Sequence, residues 1–144
     1  MTLACMSDIL TLTMNPALDI STAIDRVEPV HKLRCGAPQT HPGGGGINVA
    51  RVMHRLGSRV TAIYTAGGPL GRELSTLLDA EGVPSQVVPI AGETRESFSV
   101  HELSSGQDYR FVLPGPTLSE PEWTACLDAV VAGLAQARYV VVSG

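Results

Sequence analysis

The residues best able to do chemistry in this 144-residue chain gather around a glycine run in its first half, with two arginines further on. Pro42-Gly43-Gly44-Gly45-Gly46 runs straight into an amphipathic pattern that begins Ile47-Asn48. Four glycines ahead of a helix leave the backbone free of Cβ atoms and present N–H groups at a positive helix end. Such a run suits hydroxyls, an anion or both, or else it is a glycine-rich connector with Asn48 as a helix-start residue. The Asn48 amide can both donate to and accept from a polyol. Asp19 follows the Asn15-Pro16 turn signal just past a strand end, where it is a solvated carboxylate if alone and an acceptor for ligand hydroxyls if paired with the glycines. Lys32, Arg34, Arg95 and Arg110 fall on polar β-like segments, and a flap carrying them over the site would bring cations to a phosphate.

These groups must be held by an alternating pattern of strands and helices. Ile9–Met14, Val60–Tyr64, Gln86–Ile90 and Arg138–Val142 are apolar strand-length runs, the last of the kind expected to be covered on both faces. The spacing predicts helices over Ile47–Leu56, Pro69–Glu81 and from the Ser119/Glu122 capping box through a buried stripe of Trp123, Leu127, Val130, Val131 and Leu134. Between them, Ile20–Val27 and Lys32–Thr40 read as half-exposed β runs, and Glu96–Leu103 with Asp108–Leu113 as a hairpin. The fold class expected is α/β, a mostly parallel Rossmann-like sheet flanked by helices, with a small β-sheet lid drawn from about 20–42 and 94–113. Ligands of such sheets lie beyond the carboxyl ends of the strands, where Asn15 to Asp19 and Gly67-Gly68 also fall.

Composition narrows the function. The 44% hydrophobic and 17% charged content fits one globular core, and no apolar run approaches the ~20 residues of a spanning helix. A net charge of −4 argues against a sequence-independent grip on nucleic acid or an anionic membrane. Met1-Thr2-Leu3-Ala4-Cys5 lacks a basic, then long apolar, leader, so the expected compartment is the cytoplasm. Cys5, Cys35 and Cys126 are far apart and read as small buried thiols, and His31, His41, His54 and His101 show no metal-ligand spacing. Neither the G-x-x-x-x-G-K-[ST] loop nor the G-x-G-x-x-G fingerprint is present, which weighs against a nucleotide-binding module.

Met14-Asn15-Pro16-Ala17-Leu18-Asp19, Lys32-Leu33-Arg34 and Pro42 to Arg51 resemble the ribokinase-like (PfkB) carbohydrate kinases, most closely those of the 6-phosphofructokinase type. The resemblance extends through Ala66-Gly67-Gly68, Thr94-Arg95, Tyr109 to Val112 and Val141 to Gly144. It implies transfer of the γ-phosphoryl of Mg-ATP to fructose 6-phosphate in glycolysis. By the same resemblance Asp19, Gly43, Gly44 and Asn48 hold the sugar, Lys32, Arg95 and Arg110 hold its phosphate, and two copies form a homodimer through the lid. The related kinases for fructose 1-phosphate and tagatose 6-phosphate usually carry lysine where this chain has Gly45, so these substrates are the alternative. A noncatalytic fragment that dimerises through the lid is another. The family's G-A-G-D segment, with the general base and most of the ATP and Mg2+ site, has no counterpart here. Residues 1–144 are therefore expected to form the N-terminal part of one kinase domain, inactive alone, with the base beyond Gly144.

Overall fold

A computed structural model describes residues 8–144. Cys5, read above as a buried thiol, and the leader reading of residues 1–5 lie outside them. The elements in chain order are β1 (Ile9–Thr13), β2 (Ala17–Ile24), β3 (Gln39–Gly43), α1 (Gly45–Arg55), β4 (Val60–Ala66), α2 (Gly68–Ala80), β5 (Ser85–Pro89), β6 (Arg95–Glu102), β7 (Asp108–Val112), α3 (Glu120–Leu134) and β8 (Tyr139–Ser143). They form two four-stranded sheets, ordered β5-β4-β1-β8 and β3-β2-β6-β7.

The first sheet is wholly parallel, with Leu12 of β1 set opposite Ile63 of β4 and Val142 of β8. Period-two alternation sends neighbouring residues to opposite faces. Ile9, Ala62 and Tyr64 pack with Ile47 and Ala50 of α1 and Leu74 and Leu78 of α2, while Leu12 and Ile63 pack with Cys126 and Ala129 of α3. Helices thus cover both faces, as the α/β reading requires.

The second sheet is mixed. β2 pairs antiparallel with β3 and parallel with β6, and β6 pairs antiparallel with β7 as the hairpin reading expects. At its far end buried Glu102 accepts the Val27 N–H at 2.6 Å and the Ser105 hydroxyl, tying the turn after β2 to the β6–β7 turn.

Several expectations need correction. β2 begins at Ala17, so Asp19 lies inside a strand and not in the turn before it. Lys32 and Arg34 are on an exposed, irregular connection between β2 and β3, not on a strand. Cys35 on that connection is exposed, although Cys126 is buried as expected. Trp123, Leu127, Val131 and Leu134 are 40–64% exposed. The reason is that α3 meets the sheet along its small residues: Cys126 and Ala129 are buried, and a Cβ on Gly133 would fall 2.6 Å from Leu10 Cδ1. Val130 alone of the predicted stripe packs against that core, and the larger side chains are left on the flanks. β8 is an edge strand with Tyr139 and Val142 mostly exposed, as expected for 138–142 in the N-terminal part of a domain whose remainder would cover it.

One ion-pair cluster joins α1 to the end of α2. Arg51 Nε donates to both Glu81 carboxylate oxygens at 2.9 Å, Arg51 Nη2 donates at 2.5 Å, and Arg55 adds a bond at 2.9 Å. The Arg51 hydrogen bonds, with Arg55 assisting, hold the Glu81 carboxyl below its ordinary 4.5. A carboxyl depressed in the folded state stabilises above its unfolded value, and that contribution is lost as pH falls through the folded one. We therefore expect Glu81→Gln to cost about 1–2 kcal/mol near neutral pH, with the deficit shrinking in acid below the ordinary glutamate value. Urea unfolding of both proteins across that range checks this.

Candidate functional site

The chain leaves β1 at its carboxyl end, turns at Asn15-Pro16, and enters the second sheet as β2. Asp19 is the third residue of that strand, opposite His41 on β3 and Ser97 on β6. The Ser97 hydroxyl donates to Asp19 Oδ1 and fixes the carboxylate. On its other side stands Gly43, where a Cβ would fall 2.1 Å from Asp19 Oδ2. The missing side chain of Gly43 is thus the space the carboxylate occupies.

Alternation puts Asp19 and Ser21, Arg95, Ser97 and Ser99, His41 and Gly43, and Arg110 on one polar face, because Ala17 pairs with both Gly43 and Arg95, and Ser99 pairs with Arg110. Asp19, His41, Ser97, Ser99 and Arg110 line a small cleft of about 80 Å³, together with apolar Ile20, Phe98, Phe111 and Val112 of the same strands. A carboxylate at one end and an exposed guanidinium at the other give that cleft a dipolar lining, suited to a ligand with hydroxyls and an anionic tail. Arg95 reaches the Asn15 and Leu113 carbonyls at 3.3–3.4 Å, so its guanidinium spans the β1–β2 turn and the end of β7. Lys32 does not line the cleft. The structure brings Asp19, Gly43 and Arg110 together, with Arg95 beside them and Lys32 apart.

The glycine run divides its work. Pro42 and Gly43 belong to β3 and not to the helix entry, while Gly44 makes the turn with φ +123°. The amides expected to face a ligand are partly committed inside the protein. Gly46 N–H donates to Ser143 Oγ at 2.8 Å and Ile47 N–H to Thr13 Oγ1 at 3.0 Å, so hydroxyls at the ends of β8 and β1 satisfy the helix start. Gly45 and the Asn48 side of the first turn stay exposed, with Gly44 half-buried beside them. At the start of α2 the Leu70 N–H donates to Glu93 at 2.8 Å and the Gly67 N–H to Thr94 Oγ1 at 3.1 Å, which fills the Gly67-Gly68 end from within.

Ser97, Ser99 and His41 escaped the sequence reading. The first two alternate with Arg95 at spacing two, a usable signal once the strand is known, but the contact of Ser97 with Asp19 depends on a β2–β6 pairing between distant segments.

The model of the family described as "pfkB family carbohydrate kinase" matches residues 12–144. The chain is 56% identical over 136 residues to an ATP-dependent 6-phosphofructokinase isozyme 2 of Mycobacterium tuberculosis, covering 94% of this chain and 40% of that protein. The phosphofructokinase-2 of Escherichia coli in complex with fructose-6-phosphate superposes with a TM-score of 0.90 at 45% identity, over 96% of this chain and 46% of that one. Its tetrameric inhibited form superposes at 0.88, also at 45% identity, over 96% and 45%. The chain therefore spans less than half the length of these relatives. A parallel sheet passing its first strand into a polar second sheet, and a glycine run shared between that sheet and a helix, recur here along a match over nearly the whole sequence: the chain belongs to the pfkB family of carbohydrate kinases.

Proposed function

We propose that this chain is the sugar-phosphate-binding part of a kinase that transfers the γ-phosphoryl of ATP to fructose 6-phosphate, giving fructose 1,6-bisphosphate as a cytoplasmic step of glycolysis. The observation that carries the reading is the Asp19 carboxylate, fixed by Ser97 and seated in the space of Gly43, on the same sheet face as Arg110. Asp19 accepts hydrogen bonds from the sugar hydroxyls, assisted by the bare backbone of Gly43 and Gly44 and by the exposed Asn48 amide. Arg110 takes the substrate phosphate, with Arg95 and Lys32 as further cations that a closing lid brings to it. Phosphoryl transfer depends mainly on positioning and electrostatics, which a rigid polar sheet facing the strand ends supplies.

ATP is the phosphate donor in this reading, and Mg2+ accompanies it. Among the described residues no group of three or more His, Cys, Asp or Glu side chains could hold a metal ion. Mg2+ is held mainly by the nucleotide phosphates and water, with one or two carboxylates, and no step is assigned to it here. Asp19 is committed to the sugar, so the general base belongs to the part of the relatives that this chain does not span. The opposite face of the second sheet exposes Phe98 and Phe111, stacked with centroids 4.7 Å apart, and this apolar pair supports association of two copies through the lid. No described helix is long and apolar enough to cross a membrane.

The test is steady-state kinetics on the completed enzyme, meaning this chain joined to the remainder of the E. coli relative. Fructose 6-phosphate should exceed fructose 1-phosphate and tagatose 6-phosphate in kcat/KM. Arg110→Ala should raise its KM about tenfold while the KM for ATP holds, the loss of one charge-assisted contact. Equal use of all three sugars, or an unchanged KM in the variant, would defeat the assignment.

A further inference from the structure

The Arg51–Glu81 pair has one contact that an ion pair between helices does not need. Arg51 Nη1 donates to the Pro42 carbonyl at 3.1 Å, while Nε and Nη2 stay on Glu81. β3 is an edge strand of the second sheet, and Pro42 is buried and has no N–H to give to any neighbour. Its carbonyl is therefore fastened to the helical layer by a guanidinium whose own orientation is set by the carboxylate, with side-chain exposures of 15% for Arg51 and 25% for Glu81. Pro42 is followed by Gly43, whose absent Cβ seats the Asp19 carboxylate. Pro42 also pairs with Leu18, the residue before Asp19. Both walls of the cradle adjoin the one peptide that Arg51 holds.

We propose that Arg51, oriented by Glu81, is a positioning residue that fixes the distance between Gly43 and Asp19 and so sets affinity for the sugar. This rests on the reading of the Asp19 face as the sugar site. The planar, forked guanidinium is required because it serves carboxylate and carbonyl from different nitrogens. A lysine ammonium can keep the ion pair while losing the carbonyl, which separates positioning from stability.

The experiment compares wild type, Arg51→Lys and Arg51→Ala of the completed enzyme by hydrogen exchange over residues 39–43 and by kinetics. Arg51→Lys is expected to keep its unfolding midpoint near wild type, to exchange faster across that segment, and to raise the KM for fructose 6-phosphate about fivefold, with kcat and the KM for ATP within about twofold. Arg51→Ala should add a lower midpoint and a KM about tenfold higher. Wild-type exchange in Arg51→Lys, or faster exchange with an unchanged sugar KM, overturns the proposal. Faster exchange in a protein whose wild type ignores fructose 6-phosphate keeps β3 anchoring and refutes the substrate reading instead, so the two failures are told apart.

Discussion

Replacing Gly43 by alanine in the completed enzyme is expected to lower kcat/KM for fructose 6-phosphate at least about a hundredfold while leaving thermal stability nearly unchanged. The three atoms nearest the new Cβ all belong to one side chain: Asp19 Oδ2 at 2.1 Å, Cγ at 2.4 Å and Oδ1 at 2.7 Å. Gly43 is in a strand and is not among the residues of positive φ, so its backbone accepts alanine. The cheapest relief is rotation of Asp19 away from Gly43, which breaks its bond from Ser97 and carries the carboxylate out of the cleft. Two charge-assisted hydrogen bonds to the substrate at ~1.5–3 kcal/mol each account for the loss. Asp19→Asn, which keeps the shape and removes the charge, should show a smaller fall, about tenfold or more. Near-normal turnover in Gly43→Ala would mean that the carboxylate does not work from the position seen here.

Gly46→Ala, three residues on, should have the opposite signature and destabilise the fold by about 2–4 kcal/mol. Its Cβ would lie 2.5 Å from Thr13 Oγ1 and 2.8 Å from the Leu12 carbonyl oxygen, and the latter is main chain in the centre of the first sheet. No rotamer relieves that contact. α1 must lift away from β1, stretching the Ile47-to-Thr13 and Gly46-to-Ser143 bonds and loosening Ile47 and Ala50, both 0% exposed. The gain from a better helix former, about 1 kcal/mol, is too small to compensate. Urea midpoints decide it, and a midpoint equal to wild type would show that the helix docks less tightly than these distances say.

The contrast between the two glycines marks what was legible in the sequence. The glycine run and the helix after it could be read from residue types, because a Cβ-free segment before an amphipathic pattern has few uses. That Gly43 serves Asp19 while Gly46 serves Thr13 could not, since both relations cross between elements whose pairing no local pattern states. The helices were readable wherever one apolar face dominates, as in α2, where Leu74 and Leu78 are buried. They misled in α3, where Cys126 and Ala129 are buried against the sheet and, of the predicted stripe, only Val130 packs on that core while Trp123, Leu127, Val131 and Leu134 stay largely exposed. Lys32 and Arg34 looked strand-borne because polar and apolar residues mix there, yet the prolines around them leave the connection irregular. Asp19 and Arg110 were found for their charge, but Ser97 required the register of β2 against β6.

The bond between the Gly46 amide and the Ser143 hydroxyl joins residues 97 positions apart. The start of α1 is therefore finished only by a side chain at the end of β8. During synthesis on the ribosome, α1 and its glycine lead must wait, with an amide still hydrated, until β8 has emerged and docked beside β1. The start of α1 is thus completed by a contact of high sequence separation, whose loop-closure entropy must be met before the bond can form.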